Sequence, residues 1–207
     1  MIKVLIVDDQ PLAREIMSRS IEESDRYEVV AVTASAEEAV TICHREPIEL
    51  ILMDICTDRR ESGLVAAEEI KRCYPGIRVI VVTGLAECSF IDRARAADVD
   101  SFWYKSGHSE ALLKVMDQTV SGHRIYPDQP TEVMIGTAKS GEFTPAELKV
   151  LRLVVEGYSY KRIAEVLYLS PETVKWHIGN MLRKTNLDSK TKLAVAVTKQ
   201  QMIINDL

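Results

Sequence analysis

A chain of 207 residues with a net charge of −5 has room for one large domain or for two modest ones. Its composition, 46% hydrophobic and 28% charged, is that of an ordinary globular protein, and no apolar run approaches the roughly 18 residues of a membrane span. The first apolar run breaks at Asp8 and Asp9, too early for a secretory signal. The four cysteines form no Cys-x-x-Cys pair, which argues against a zinc site or a disulfide framework. We therefore expect a cytoplasmic protein with free thiols and no membrane partner.

The net charge is divided unevenly along the chain. Residues 1–120 carry 22 acidic and 14 basic side chains, a net charge of −8, whereas residues 143–207 carry 6 acidic and 10 basic side chains, a net charge of +4. An acidic half joined to a basic half indicates two domains with different partners, and nucleic acid is the candidate partner of the basic half.

Residues 1–120 alternate between short apolar runs and segments with helical spacing. The apolar runs are Ile2–Val7, Val29–Thr33, Leu50–Met53, Ile77–Val82 and Ser101–Tyr104. Runs without polar interruption are typical of parallel strands that are buried on both faces. Helical spacing follows each run, beginning with Leu12 and Ile16. The pattern predicts an α/β domain with a doubly wound five-stranded parallel sheet, whose site lies at the carboxyl ends of the strands.

Glycine and proline punctuate residues 121–142, which predicts a linker with a short helical piece around Glu132–Ile135.

Residues 143–207 have helical spacing throughout and predict a second, all-α domain of four helices. Thr144 with Glu147 is typical of a capped helix start, and Gly157 of its end. Two short helices joined by residues 168–170 predict a helix-turn-helix, and residues 189–200 predict the last helix.

Three carboxylates follow predicted strand ends, Asp8 and Asp9 after the first strand and Asp54 after the third. They should converge, because the carboxyl ends of parallel strands lie side by side, and their repulsion favours a bound cation such as Mg²⁺. Thr83 after the fourth strand adds a hydroxyl, and Lys105 after the fifth adds an ammonium. Each residue alone fits a helix cap, a strand residue or a solvated lysine, but together they can bind and transfer a phosphoryl group.

With these residues in place, residues 2–120 resemble the receiver domain of two-component response regulators, which has a flavodoxin-like fold. The resemblance implies that Asp54 accepts a phosphoryl group from a sensor histidine kinase. It further implies that Asp8, Asp9, Asp54 and the backbone carbonyl of Cys56 hold Mg²⁺, and that Thr83 and Lys105 contact the phosphoryl oxygens. Phe102 occupies the position of the family's aromatic switch, although a plain core aromatic fits the sequence nearly as well.

The loop after Asp54 departs from the family pattern. The family has a proline four residues after the acceptor and a glycine eight after it, whereas this chain has Asp58 and, nine residues after, Gly63. The loop Ile55–Ser62 is therefore one residue longer than in the family. Arg59 and Arg60 in this loop could contact the phosphoryl group or a kinase, but we prefer the interpretation that they are solvated. Ser106 replaces a common proline. These changes bear on metal affinity and on the lifetime of the phosphoryl group.

The third carboxyl-terminal helix, projected at 100° per residue, has an apolar face and a polar face. Val174, Ile178, Met181, Leu182 and Thr185 should pack inward. The outer face has a large aromatic at its centre and side chains that can bond bases or phosphates, namely Thr173, Lys175, Trp176, Gly179, Asn180 and Arg183. Lys161 and Arg162 in the preceding helix are candidate phosphate contacts, with Lys184, Lys190 and Lys192 as weaker ones.

Residues 143–205 resemble the LuxR-type helix-turn-helix over a long and specific match, which includes Phe143–Leu148, Glu156–Gly157, Lys161–Glu165, Leu169–His177 and Asn180–Lys184. The resemblance places base and phosphate contacts at Lys175, Trp176 and Gly179, and a backbone contact at Lys161. The family often has a polar side chain where this chain has Gly179, so one base contact is missing. The family's last helix commonly dimerises, which would involve Ala194, Val195 and residues 197–201 here unless they belong to the domain core.

Both resemblances together describe a DNA-binding response regulator of the LuxR, NarL and FixJ class, and not an enzyme. In the implied mechanism, phosphorylation of Asp54 shifts Thr83 and Phe102. The carboxyl-terminal domain is then freed or dimerises, and the paired helices of a homodimer read two half-sites in double-stranded DNA.

Three alternatives use the same residues. A phosphatase or phosphotransferase with an aspartyl intermediate would carry its nucleophile on the first strand, with substrate-binding loops for which these 120 residues leave no room. The altered loop leaves open a regulator that uses the pocket for protein contacts, independently of phosphorylation, although the five residues of the site still predict phosphorylation. A small-ligand sensor joined to the same DNA-binding domain is disfavoured by the buried strands and the acidic pocket.

Overall fold

A computed structural model describes residues 1–57, 62–84, 89–105, 109–128, 132–200 and 202. These residues form two compact units, one up to residue 128 and the other from residue 132 onward. Among the helices in these ranges, none is long and apolar enough to cross a bilayer.

The amino-terminal unit is a parallel sheet between two layers of helices. Its strands are β1 (Ile2–Val7), β2 (Tyr27–Thr33), β3 (Leu50–Met53), β4 (Arg78–Thr83) and β5 (Ser101–Tyr104). Its helices are α1 (Pro11–Glu22), α2 (Ala36–Arg45), α3 (Gly63–Cys73), α4 (Ser89–Ala96) and α5 (Ser109–Val120). The strands are all parallel in the order β2-β1-β3-β4-β5, which confirms the predicted doubly wound sheet. The strand order reverses between β1 and β3, the place where such sheets bind ligands.

Both faces of the sheet are buried, as the uninterrupted apolar runs predict. All four residues of β3 are buried. Helices α1 and α5 pack against each other and cover one face of the sheet, and α2 and α3 form a second pair of packed helices. Within α1, however, the buried residues are Met17, Ser20 and Ile21, whereas Leu12 and Ile16 are 66% and 53% exposed. The helix carries two apolar stripes, and helical spacing alone does not specify which of them faces the sheet.

The carboxyl-terminal unit is a cluster of four helices preceded by a two-stranded hairpin. The helices are α6 (Pro145–Val155), α7 (Tyr160–Leu167), α8 (Pro171–Thr185) and α9 (Lys190–Lys199), as predicted. Thr144 and Glu147 form the predicted capping box, and the side chains of Ser159 and Ser170 cap α7 and α8. Val174, Ile178 and Met181 of α8 lie in the core, which confirms the predicted inner face.

The predicted helical piece around Glu132–Ile135 is wrong. Met134–Ile135 form strand β6, which pairs antiparallel with β7 (Ala138–Lys139), because Gly136 turns the chain with a φ of +60°. The backbone amide of Thr137 donates to the carbonyl of Thr185, and its hydroxyl donates to the carbonyl of Lys184. The hairpin thus satisfies carbonyls at the end of α8 that have no partner within the helix.

The predicted linker 121–142 divides between the two units. Ile125 accepts a hydrogen bond from the backbone amide of Phe102 in β5, so this part belongs to the sheet unit. The hairpin and the 3-10 helix Ser140–Glu142 belong to the helical unit, where Ile135 and Ala138 lie in the core.

We predict that Gly136→Ala destabilises the helical unit by roughly 1–3 kcal/mol. A Cβ at this position would lie 2.0 Å from the carbonyl oxygen of Thr185, and the backbone conformation there favours glycine. Urea unfolding of the full chain, with hydrogen exchange of the α8 amides as the local probe, measures the effect. Gly141→Ala is the matched control, because a Cβ there meets only the Glu132 carboxylate at 3.8 Å. Equal stability of the two variants would contradict the prediction.

Candidate functional site

Three carboxylates meet at the carboxyl edge of the sheet, as the strand ends predict. Asp8 follows β1 and Asp54 follows β3, and one carboxylate oxygen from each of Asp8, Asp9 and Asp54 lies within 4.8 Å of the others. Asp8 and Asp54 are buried, whereas Asp9 is exposed. The backbone amide of Asp54 donates to the carbonyl of Val7, so the β1–β3 pairing itself sets the position of Asp54.

Lys105 reaches into this cluster from β5. Its Nζ lies 2.7 Å from Oδ2 of Asp8 and 2.9 Å from Oδ2 of Asp54. The backbone amide of Lys105 donates to the carbonyl of Thr83, which fixes the start of its side chain beside the end of β4. One ammonium therefore contacts the two buried carboxylates of the site.

The environment of Asp54 disfavours its charged form. Burial raises the pKa of Asp54 to about 7, and the Asp8 charge adds to the rise, although Lys105 and the backbone amide of Ile55 oppose it. For Lys105, burial alone would lower the pKa, but the charges of Asp54 and Asp8 raise it above its usual range. Lys105 contacts two of the three clustered carboxylates. Such a set of oxygen ligands suits a hard divalent cation.

Two groups that sequence reasoning missed hold Asp8 in place. The backbone amide of Gln10 donates to Oδ1 of Asp8 at 3.0 Å, and the guanidinium of Arg14 donates to the carbonyl of Asp8 at 2.6 Å. Arg14 lies in the first turns of α1, so the helix that follows β1 positions the first acidic residue. The sequence signal for this contact is the six-residue spacing between Asp8 and Arg14. It predicts the contact only when α1 is known to begin at Pro11.

The candidate switch residues lie inside the unit. Thr83 is fully buried at the end of β4, and Phe102 is 2% exposed in β5. The Phe102 ring lies 5.1 Å from the ring of Tyr104 in an edge-to-face arrangement. In the β4–β5 register Thr83 is paired with Tyr104 and Phe102 with Val81.

Cys56 lies in the turn after Asp54, half-buried, and forms an isolated bridge with Ser62. Burial, followed by the charges of Asp54 and Asp9, raises the pKa of the Cys56 thiol to about 12, so its side chain is a neutral thiol. Asp58, Arg59, Arg60, Glu61, Cys88 and Ser106 lie outside the described residues.

Gly63 is the position where the altered loop rejoins the family pattern. A Cβ on Gly63 would lie 1.8 Å from the carbonyl oxygen of Asp54, and the Gly63 amide donates to the carbonyl of Ile55. The first residue of α3 therefore packs directly against the backbone of Asp54. The close approach of the Gly63 Cα to the Asp54 carbonyl requires glycine at this position.

In the helical unit, α7 and α8 are joined by a turn in which Tyr168 adopts a left-handed conformation. On α8, Lys175, Trp176, Gly179 and Arg183 are exposed, and Thr173 and Asn180 are half-buried. The Arg183 guanidinium donates to the amide oxygen of Asn180 at 3.0 Å, which presents both side chains on one surface. Lys161 and Arg162 are exposed in the first turn of α7.

The weaker lysine candidates hold internal contacts. Lys184 donates to the Glu147 carboxylate and to the carbonyl of Glu142, Lys190 donates to the carbonyl of Tyr158, and Lys192 pairs with Asp188. On α9, Val197 is buried in the core, whereas Val195 is 61% exposed. Gln201 lies outside the described residues.

Comparison with known proteins agrees with both halves of this geometry. Residues 4–117 match the family described as the response regulator receiver domain, and residues 142–197 match the bacterial regulatory proteins of the luxR family. The chain belongs to the response regulators. The luxR-family match assigns its carboxyl-terminal unit to a DNA-binding domain.

One relative and two solved structures each cover between 95% and 98% of this response regulator. It is 30% identical over 207 residues to the response regulator protein VraR of Staphylococcus epidermidis, covering 98% of this chain and 99% of VraR. It shares the fold of RcsB from Salmonella enterica serovar Typhimurium bound to promoter rprA, with 21% identity, a TM-score of 0.62 and coverage of 96% and 98%. A structure of two RcsB dimers bound to two parallel DNAs gives 20% identity, a TM-score of 0.64 and coverage of 95% and 98%.

We predict that Gly63→Ala lowers the free energy of unfolding of the receiver unit by about 1–3 kcal/mol, because the new methyl must displace the backbone that carries Asp54. Urea unfolding followed by far-ultraviolet circular dichroism measures the change. Gly76→Ala serves as the control, since a Cβ there meets nothing within 4 Å. An unfolding midpoint for Gly63→Ala equal to that of Gly76→Ala would contradict the close-packing argument.

Proposed function

We propose that this response regulator accepts a phosphoryl group on Asp54 and that phosphorylation controls its binding to DNA. The observation that carries the proposal is the Lys105 ammonium, which contacts the buried carboxylates of both Asp8 and Asp54. An acidic residue with a cation fixed beside it can act as a nucleophile, while the cation interacts with the oxygens of the incoming phosphoryl group.

The donor in this proposal is a phosphohistidine of a sensor kinase. A carboxylate oxygen of Asp54 attacks the phosphorus atom, the P–N bond breaks with its electron pair on the imidazole nitrogen, and an acyl phosphate forms on Asp54. Lys105 holds its charge next to the transferred group throughout. Thr83, fully buried at the neighbouring strand end, supplies a hydroxyl on the same edge of the sheet.

The donor set of Asp8, Asp9 and Asp54, with the carbonyl of Cys56 as a further ligand, fits Mg²⁺. When bound, the ion would neutralise charge on the phosphoryl oxygens. The residues themselves prepare the site, because Gln10 and Arg14 orient Asp8 and Gly63 supports the backbone of Asp54.

The conformational response in this proposal passes through Thr83 and Phe102. Thr83 lies beside Lys105, and Phe102 is buried on the adjacent strand. A phosphoryl group that engages the Thr83 hydroxyl would change the packing available to the Phe102 ring. Phosphorylation then shifts a pre-existing equilibrium between two conformations.

DNA binding is assigned to α7 and α8. In this proposal the receiver comprises residues 1–120 and the DNA-binding domain comprises residues 143–207, which carry a net charge of +4, together with the hairpin from residues 121–142 that packs in its core. Lys161 would contact the phosphate backbone, and the base-facing set would comprise Thr173, Lys175, Trp176, Gly179, Asn180 and Arg183. The active form would be a homodimer, since one solved relative is described as dimers bound to DNA, and Val195 on α9 offers an exposed apolar contact.

We predict that incubation with Mg²⁺ and a small phosphodonor adds one phosphoryl group to the wild-type chain and none to Asp54→Asn. The asparagine carboxamide has nearly the same shape as the carboxylate that it replaces, but it is a poor nucleophile. Intact mass spectrometry measures the gain, and Asp92→Asn, the same change at an exposed aspartate of α4, should be phosphorylated like the wild type. If a phosphorylated sensor kinase also gives no transfer to folded wild-type protein, the alternative of a phosphorylation-independent regulator would replace this proposal.

We predict that Lys161→Ala weakens DNA binding for all sequences alike and lowers the slope of log affinity against log salt by about 1, because a phosphate contact releases counterions. Fluorescence anisotropy over a salt series measures the slope. Lys149→Ala removes the same charge from an exposed position of α6 and is the matched control. Equal slopes for the two variants would contradict the assignment of Lys161.

A further inference from the structure

The chain that leaves α5 turns back onto the edge of the parallel sheet. As α5 ends, the backbone amide of His123 donates to the carbonyl of Gln118. Residues 124–126 then form a strap that lies beside β5, the last strand in the order of the sheet. The outer side of such an edge strand has backbone groups without a strand partner, and the strap supplies one here.

The strand β5 holds the centre of the strap through the candidate switch residue. The backbone amide of Phe102 donates to the carbonyl of Ile125 at 2.7 Å, and the amide of Ile125 donates to the hydroxyl of Ser101 at 3.0 Å. Ser101 is fully buried, and its hydroxyl lies 2.7 Å from that of Thr119 in α5. The position of the strap therefore depends on the backbone of Phe102 and on a buried pair of hydroxyls.

The end of α4 and the turn after it hold the last residue of the strap. The Tyr126 hydroxyl donates to the carbonyl of Val99 at 2.5 Å, and the Arg95 guanidinium carbon lies 4.9 Å from the centroid of the Tyr126 ring. Burial raises the pKa of Tyr126 to about 12, so its hydroxyl remains a donor at neutral pH. Arg124, the first residue of the strap, donates to the carboxylate of Asp98 at 2.6 Å.

These anchors belong to elements that adjoin the acidic site. The helix α4 follows β4, whose last residue is Thr83, and Lys105 directly follows β5. Because β5 has four residues, Ser101 and Lys105 are only about 13 Å apart along the strand. A change in the contacts of Lys105 or in the packing of Phe102 therefore acts on a strand whose other contacts are those of the strap.

The strap is also the last anchored part of the receiver before the helical unit. Residues 127–131 separate Tyr126 from residue 132, where the described part of the helical unit begins. Five residues span at most about 18 Å when they are fully extended. A strap that leaves β5 adds its three residues, or roughly 10 Å, to the free length of this connection.

We infer that the strap couples phosphorylation to DNA binding. In one conformation it is held by β5 and α4, and a phosphoryl group on Asp54 favours its release, which lengthens the tether of the DNA-binding domain. The inference rests on the proposed function, and it specifies how the signal leaves the receiver. Tyr126 and Arg95 are positioning residues in this mechanism, because they hold the strap and do not contact the reacting groups.

Tyr126→Phe tests the inference, because it removes the donor to Val99 and keeps the ring beside Arg95. In the full chain it should speed hydrogen exchange of the Phe102 and Ile125 amides by roughly 3- to 10-fold. It should also move the DNA affinity of the unphosphorylated protein toward that of the phosphorylated protein. Nuclear magnetic resonance measures the exchange, and fluorescence anisotropy measures the affinity for an operator selected from a random double-stranded library.

Tyr74→Phe is the matched control, since it removes the hydroxyl of another half-buried receiver tyrosine, whose hydrogen-bond partner is His44. It should change neither the exchange of the two amides nor the affinity. Uptake of a phosphoryl group at Asp54, followed by intact mass, should be equal in the wild type and in both tyrosine variants. In the wild type, Mg²⁺ with the small phosphodonor should itself speed exchange of the two amides, and Asp54→Asn should not respond.

Two results would overturn the inference and leave the proposed function intact. One is a wild type in which phosphorylation leaves exchange of the Phe102 and Ile125 amides unchanged. The other is a Tyr126→Phe variant with faster exchange but an unaltered ratio of phosphorylated to unphosphorylated DNA affinity, since the strap would then be structural only. A wild type that takes up no phosphoryl group, or whose DNA affinity is the same before and after uptake, would refute the proposed function and the inference with it.

Discussion

The contact of one ammonium with two buried carboxylates is the constraint on which the receiver unit depends. Asp8 and Asp54 come from neighbouring strands and would repel each other in a buried setting, so the structure requires Lys105 at 2.7 Å and 2.9 Å from their oxygens. Because Lys105 directly follows β5, the contact ties the reversal point of the sheet to the strand at its far edge. A phosphoryl group on Asp54 would compete for this same ammonium. Phosphorylation would thereby change the contacts of the residue that directly follows β5.

In the helical unit, other elements hold the carboxyl-terminal end of α8. The last carbonyls of α8 accept hydrogen bonds from the hairpin at residues 134–139, and Lys184 is held by Glu147 from α6. The pKa of Glu147 is held below its usual range, since the hydrogen bonds from Lys184 and Thr144 outweigh its burial. These contacts stabilise the end of α8 and leave Lys175, Trp176 and Arg183 exposed on its outer face.

Sequence patterns predicted most of the fold, and the exceptions have identifiable causes. Apolar runs predicted all five strands, because strands buried on both faces tolerate few polar residues. Helical spacing at Leu12 and Ile16 predicted α1 correctly, but it did not specify which face is buried: both residues are exposed, because α1 has two apolar stripes and packing selects one. Helical spacing failed at residues 132–135, where a hairpin forms because the end of α8 offers unpaired carbonyls, which lie some fifty residues away in sequence.

For the candidate site, the sequence by itself determined which chemical groups stand at the strand ends and which residues line the outer face of α8, because strand ends and helical period follow from local pattern. Only the tertiary structure decided how the groups are paired. It showed that Lys105 contacts both Asp8 and Asp54, that Arg14 holds Asp8, that Gly63 packs on the backbone of Asp54, and that Gly179 has open space beside it. The Lys105 contacts join residues about fifty or more positions apart in the chain, and all of these contacts depend on how the elements pack, which local pattern does not specify.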